Sequence, residues 1–89
     1  MTHEKKLKLG KLKKGDRALV AQVGGKGFAQ ELIERLLEIG ILEGSRIEIV
    51  HEAPFGGDPF AVRVRGTLVA LQRHIANIIE VFEYEPESP

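Results

Sequence analysis

The sequence predicts a small, mainly β domain in which about five short strands close into a barrel with one amphipathic helix. The first observation is length, because 89 residues are too few for two independently folding units. The second is a recurrence of short apolar or alternating runs, each bounded by glycine or proline, which is typical of strands. The third is that one segment alone adopts a helical period.

The first strand and the helix are predicted in the N-terminal half. Ala18 to Val23 is short, apolar and rich in valine, which predicts a strand. After a glycine-rich break, apolar residues recur from Phe28 to Ile39 at intervals of four, four and three. This period predicts an amphipathic helix of three turns. Gly40 follows at the position where a left-handed C-terminal cap is usually found.

A second strand and a loop come next. Ile47 and Ile49 alternate with charged residues, and His51 has the same parity as these isoleucines, which predicts a half-buried strand. The segment from Glu52 to Pro59 contains two prolines and two glycines. It is therefore predicted to be a loop.

Three further strands complete the domain. Apolar residues alternate from Phe60 to Val64, and a turn leads into a strand at Thr67 to Leu71. A brief helical turn is predicted at Gln72 to Ala76. Ile79 and Val81 mark the last strand.

The order of these elements favours one kind of barrel. Strands this short cannot shield the edges of a flat open sheet, so closure is the economical arrangement. Because the helix falls between the first and second strands, we predict an SH3-like barrel and not an OB fold. The domain is predicted at residues 9–83, between a basic extension at residues 1–8 and an acidic, disordered tail at residues 84–89.

Composition restricts the possible chemistry and location. The chain has no cysteine, which excludes disulfides, thiolate metal sites and cysteine nucleophiles and fits a reducing compartment. No apolar run reaches the roughly 18 residues that a membrane span needs, and residues 1–8 lack the apolar stretch of a signal peptide. We therefore predict a cytoplasmic protein that does not insert into the membrane. Any attachment to the inner face of the membrane is expected to be through a partner.

Charge is balanced overall but uneven along the chain. The 13 basic and 13 acidic residues cancel. Basic side chains are concentrated in residues 4–17, whereas the last ten residues contain four glutamates and no base. The basic end suits contact with nucleic acid, anionic lipid or an acidic protein surface. The simpler interpretation is a solvated N-terminal arm.

Several segments together resemble the family of ferrous-iron-transport accessory proteins called FeoA. They are the run RLLEIGILEGSRIEIV from Arg35 to Val50, the pattern Leu12-x-x-Gly15-x-x-Ala18-x-Val20, the loop APFGGDP from Ala53 to Pro59, the strand end Arg63 to Gly66, and Leu71 followed by Ala76-x-x-Ile79-x-Val81. The resemblance extends from about Leu9 to Val81. The same segments also resemble the C-terminal SH3-like domain of DtxR-type metal-dependent repressors. The resemblance implies a cytosolic helper of the membrane transporter FeoB, whose GTPase domain drives or gates ferrous iron uptake.

The helix is a candidate for one part of a partner surface. Its apolar arc is about 180° wide, whereas a core-facing stripe needs only about 100°. Ile33 and Leu37 lie in the part of the apolar arc that exceeds this core-facing stripe. The alternative is that both pack beneath the N-terminal segment through Leu9 and Leu12.

The loop and the strand that follows it supply the other candidates. Phe55 stands at the tip of a proline- and glycine-rich loop, and loop aromatics are frequent interface anchors. It could equally pack onto the barrel. Arg63 and Arg65, on the face opposite the apolar residues of their strand, are further candidates for partner binding.

Four residues are candidate metal ligands: His51, Glu52, Asp58 and His74. Imidazole and carboxylate groups suit Fe²⁺ or Zn²⁺. Neighbouring residues on a strand point to opposite faces, so His51 and Glu52 cannot share an ion unless the loop bends back. The favoured alternative is that the histidines are surface residues and that no cofactor is required.

The sequence contains no catalytic constellation, and we predict a non-enzymatic protein. The favoured function is binding and modulation of FeoB. One alternative is a nucleic-acid-binding small barrel in which Lys5 to Lys14, Arg63 and Arg65 contact phosphates; a neutral net charge speaks against it. Another is a metal-binding SH3-like regulatory module. The oligomeric state is left open.

Overall fold

The computed structural model describes residues 5–25 and 27–84. Over these residues the chain forms one antiparallel sheet with two helices and a short 3-10 turn. The strands are β1 (Lys6–Lys8), β2 (Arg17–Val23), β3 (Arg46–Glu52), β4 (Phe60–Val64), β5 (Thr67–Leu71) and β6 (Ile79–Tyr84). The helices are α1 (Gln30–Glu38) and α2 (Arg73–Ala76), and the 3-10 turn is Leu9–Lys11.

The sheet order is β1-β6-β2-β3-β4-β5. The last strand returns to lie between the first two and pairs with both of them. Leu7 pairs with Val81, so Lys6–Lys8 belong to the sheet. The predicted start of the domain at residue 9 therefore leaves out one strand. Residues 1–4 of the predicted extension and residues 85–89 of the predicted tail lie outside the described residues.

One face of the sheet carries the core. Alternate residues of the strands are buried, because successive strand side chains point to opposite faces. The helices and the 3-10 turn complete the same cluster. Its members are Leu9, Leu12, Ala18, Val20, Leu36, Ile41, Ile47, Ile49, Phe60, Val62, Val64, Leu71, Ala76, Ile78, Ile79 and Val81. Full burial of a large apolar side chain contributes roughly 1.5–3 kcal/mol each before entropy is counted, so this cluster is the main source of stability.

A bulge in β3 changes the face on which its last residues lie. Ile49 pairs with Val62, but His51 pairs with Ala61, so the register shifts between them. His51 is exposed, whereas Ile49 is buried. The predicted parity of His51 with the isoleucines is therefore wrong, because the inserted residue moves it to the outer face.

The helix α1 is shorter than the predicted 28–39 segment but ends as expected. Gly40 has φ +101°, and its N–H donates to the carbonyl of Leu37 at 3.0 Å. The N–H of Ile41 donates to the carbonyl of Leu36 at 3.1 Å. These bonds close the C-terminal end and confirm the left-handed cap.

Candidate partner-binding surface

The β3–β4 loop presents one fully exposed aromatic residue. Phe55 is 100% exposed and has φ +62°, a conformation that is rare for a bulky side chain. The base of the loop is closed by two backbone hydrogen bonds: Ala53 N–H donates to Pro59 O, and Gly57 N–H donates to Ala53 O, both at 3.0 Å. Phe55 is thus an exposed apolar tip on a hydrogen-bonded loop.

Arg73, at the start of α2, holds this loop from below. Its Nε donates to the carbonyl of Gly57 at 3.0 Å, and its Nη2 lies 2.7 Å from Glu52 Oε2. Its backbone N–H donates to Asp58 Oδ1 at 3.0 Å. The guanidinium carbon lies 4.2 Å from the centroid of the Phe60 ring, which is within the range of a cation–π contact.

The same guanidinium also binds the N-terminal 3-10 turn. Nη1 donates to the carbonyls of Gly10 and Leu12. A Cβ at Gly10 would collide with the Arg73 carbonyl and the Asn77 side chain, so only glycine permits this approach. Arg73 therefore joins three segments that are distant in sequence. Sequence reasoning missed it because no local pattern distinguishes it from other surface arginines.

The candidate metal ligands are not gathered in one place. Glu52 and Asp58 both accept hydrogen bonds from Arg73, whereas His51 and His74 are exposed on β3 and α2. Among residues 5–25 and 27–84, no three histidine, aspartate or glutamate residues are close enough to hold an ion. Metal binding stays a prediction.

The two helix candidates differ in their surroundings. Ile33 is partly buried and packs against the core, and its Cδ1 lies 2.9 Å from where a Cβ at Gly24 would be. Leu37 is 39% exposed. Leu9 and Leu12 are themselves members of the core. Ile33 is therefore engaged by the fold, and Leu37 is available to a partner.

Arg63 and Arg65 lie on the outer face of the sheet in a shallow groove of about 310 Å³. This arginine groove is lined by Arg17, Arg46, Glu48, Arg63, Arg65 and Tyr84, among others. The register places Arg17 opposite Glu48 and Glu48 opposite Arg63. Sequence reasoning identified two of the four arginines and missed the two supplied by β2 and β3, because their convergence depends on strand pairing.

The five predicted partner residues do not form one patch. Phe55 lies in the loop at one end of the β3–β4 pair, whereas Arg65 lies in the turn at the opposite end of β4. The five residues of β4 separate these ends by roughly 13 Å at about 3.3 Å per residue. The Arg65 Cδ lies 2.8 Å from where a Cβ at Gly40 would be, so the C-terminal end of α1 lies on the arginine side.

Comparison with known proteins supplies the family. The model of the FeoA domain matches residues 7–82. The chain belongs to the FeoA family. It is 36% identical over 75 residues to an Fe(2+) transport protein A/Fe(2+) transporter FeoB fusion protein of Porphyromonas gingivalis, covering 84% of this chain. The FeoA chain spans only 8% of that fusion protein.

Two solved structures of FeoA proteins resemble this one. The FeoA protein of Chlorobium tepidum is 32% identical with a TM-score of 0.77, over 92% of this chain and 74% of that one. Stenotrophomonas maltophilia FeoA complexed with zinc, described as a prokaryotic SH3 domain protein, is 29% identical with a TM-score of 0.74, over 84% of this chain and 88% of that one. The predicted SH3-like fold and the family are confirmed, and the family is associated with ferrous iron transport. Neither described helix is long and apolar enough to cross a membrane.

Proposed function

We propose that this FeoA protein is a non-enzymatic, cytoplasmic accessory of ferrous iron uptake that binds the cytoplasmic part of FeoB and modulates it. The fusion of an FeoA segment to FeoB in the Porphyromonas gingivalis relative supports this partner, because fused segments commonly work together. In this proposal Fe²⁺ is the cargo of the transporter. The accessory protein reaches the inner face of the membrane through its partner.

The observation that carries the proposal is Phe55. A phenylalanine in the left-handed region costs on the order of 1 kcal/mol, and a fully exposed side chain recovers none of that cost by burial within the chain. Backbone strain of this kind is found preferentially at functional sites. An exposed aromatic that inserts into a partner pocket is a common interface anchor.

The loop that carries Phe55 is fixed in place by hydrogen bonds, which favours its use as a binding surface. Arg73 fixes Gly57 and Asp58 through hydrogen bonds, so the tip is presented with little freedom to lose on binding. A surface that is ordered in advance binds more tightly, because less conformational entropy is lost. Arg73 is therefore a positioning residue in this proposal.

We also propose that binding of FeoB requires no resident metal. The two candidate carboxylates are already engaged by Arg73, which would have to release them before they could bind an ion. Treatment with a chelator should leave the affinity for FeoB unchanged within about twofold. A loss of affinity that added Fe²⁺ or Zn²⁺ restores would contradict this part of the proposal.

The proposal is tested by the affinity of the purified protein for the cytoplasmic domain of FeoB, measured by calorimetry. Phe55→Ala should weaken binding by about 30-fold or more, since truncating an interface anchor commonly costs about 2 kcal/mol. Phe28→Ala is the matched control, because Phe28 is also an exposed phenylalanine, at 39%, but precedes α1. The control should bind as the parent does.

Three results would contradict the proposal. The parent protein could fail to bind the FeoB domain. Phe55→Ala could bind as tightly as the parent, which would remove the loop from the interface. Both variants could lose affinity equally, which would indicate non-specific apolar contact.

A further inference from the structure

The arginine groove carries positive charge that the described side chains lining it do not neutralise. Of the residues that the structure describes, Glu48 is the one carboxylate that lines it. Its Oε1 lies 3.1 Å from Arg63 Nη1, and its Oε2 lies 3.8 Å from Arg17 Nη2. The side chains of Arg46 and Arg65 form no hydrogen bond or ion pair with any described residue. Unmatched charge is thus concentrated on these two arginines.

The spacing of the groove matches an extended chain. Arg46 and Glu48 are two residues apart on the same face of β3, so they lie roughly 7 Å apart along the strand. Arg63 lies opposite Glu48, and Arg65 follows it by two residues. The positive groups therefore occur at two levels about 7 Å apart. An extended peptide presents every second side chain on one side at the same spacing.

We propose that the arginine groove binds an extended acidic segment of the partner protein, with carboxylates at alternate positions. This inference rests on the proposed function and names the chemistry of a second contact. Guanidinium groups can pair with carboxylates through two parallel hydrogen bonds, and Arg63 already donates one hydrogen bond from Nη1 to Glu48 Oε1 at 3.1 Å. Arg46 and Arg65 bind carboxylates of the incoming segment. Glu48 competes with those carboxylates for Arg17 and Arg63.

The observations favour an acidic peptide over nucleic acid. Binding of single strands combines phosphate contacts with aromatic side chains on which bases stack. Among the described residues that line the groove, Tyr84 is the one aromatic. A single aromatic gives no row of stacking surfaces for successive bases.

The probe is a fluorescein-labelled peptide in which glycine alternates with glutamate. The uncharged control is a labelled peptide of the same length in which glycine alternates with glutamine. Fluorescence anisotropy with the full-length protein should show saturable binding of the acidic peptide alone, weakened by salt. Arg46→Gln combined with Arg65→Asn should lower the affinity about tenfold or more, since charge-assisted hydrogen bonds are lost. Asparagine is chosen because it tolerates the left-handed backbone of Arg65.

Two further variants sharpen the test. Arg35→Gln removes an exposed arginine of α1 that lies outside the groove, so this control should bind the peptide within about twofold of the parent. Glu48→Gln should tighten binding about threefold, because it releases Arg17 and Arg63. Thermal unfolding checks that each variant is folded, and Arg63→Gln alone replaces the double variant if that variant unfolds.

The outcomes separate this inference from the proposed function. Equal binding of the two peptides, unchanged affinity of the double variant, or weaker binding by Glu48→Gln would overturn the acidic-peptide site. So would tighter binding of a short oligo-uridine or of inorganic phosphate than of the acidic peptide. If the parent binds the acidic peptide, the double variant does not, and the parent fails to bind the FeoB domain, then the proposed function is wrong and the acidic-peptide site is supported. If the parent binds the FeoB domain but not the acidic peptide, then the proposed function is supported and the acidic-peptide site is wrong.

Discussion

Phe55 and Arg65 are the two non-glycine residues with positive φ among residues 5–25 and 27–84, and they lie at opposite ends of β4. Arg65 and Gly66 form the two-residue turn between β4 and β5, with φ values of +52° and +78°. Turns of this length favour positive φ at both central positions because the twist of the strands then matches. Phe55 instead begins a run of three positive-φ residues with Gly56 (+102°) and Gly57 (+72°) in a longer loop, and its side chain is fully exposed. The conformation of Arg65 therefore serves the hairpin, whereas that of Phe55 presents the aromatic ring which the proposed function assigns to binding.

The two ends are also held differently. At the Phe55 end, one partly buried guanidinium binds backbone carbonyls from two separate segments. At the Arg65 end, side chains meet on an exposed face, and the Glu48 ion pairs are open to solvent. Exposed ion pairs contribute roughly 0–1 kcal/mol. We therefore expect substitutions beneath Phe55 to affect the fold and substitutions in the groove to leave it intact.

Arg73→Ala has the largest expected effect. It leaves the carbonyls of Gly10, Leu12 and Gly57 without their donor and Glu52 without its cation. The free energy of unfolding should fall by about 3 kcal/mol, because several partly buried polar groups lose their partners together. Urea unfolding measures this loss. The exposed control Arg63→Ala should change stability by less than about 1 kcal/mol, and equal losses would refute the contrast between the two ends.

Ile33→Ala should have an intermediate effect. Ile33 is partly buried and packs toward Gly24, so its truncation should destabilise the protein by about 1.5 kcal/mol. Affinity for the FeoB domain should stay within about twofold of the parent under conditions where the variant is folded. If Ile33→Ala changes the free energy of unfolding by less than about 0.5 kcal/mol but clearly lowers the affinity for the FeoB domain, then Ile33 belongs to the partner surface.

Leu37→Ala should have the smallest effect on the fold. Leu37 is 39% exposed, and substitutions of exposed residues usually change stability by about 0.5 kcal/mol or less. Urea unfolding of Leu37→Ala and Ile33→Ala compares the loss of two side chains of similar size, one more exposed than the other, on the same helix. If Leu37→Ala is the more destabilising of the two, the burial pattern of α1 described above is incorrect.

Much of the fold was predictable because local signals agreed with tertiary structure. The strand at Thr67–Leu71 was predicted with its observed bounds, and alternation over Phe60–Val64 placed its core residues correctly. The strand β1 was missed because Lys6–Lys8 contains a single apolar residue between two lysines. Its pairing with β6 supplies a stability that no local pattern reveals.

The candidate site was predictable only where one residue acts alone. Phe55 is identifiable because prolines and glycines surround it in the sequence. The role of Arg73 depends on contacts with residues far away in the chain, such as Gly10, and that of Arg46 depends on the strand pairing that places it beside Arg63 and Arg65. The altered face of His51 depends on a bulge against β4. These features come from strand register and long-range hydrogen bonds, which the spacing of residues in the sequence does not specify.

In the proposed function, Phe55 is kept at a cost to stability because it binds the partner. Phe55→Asn tests it most directly, since asparagine tolerates the left-handed region far better than phenylalanine. Urea unfolding should show a gain of about 0.5–1 kcal/mol, while calorimetry should show affinity for the FeoB domain falling by about 30-fold or more. A variant that is less stable than the parent, or that binds FeoB as tightly, would contradict the account.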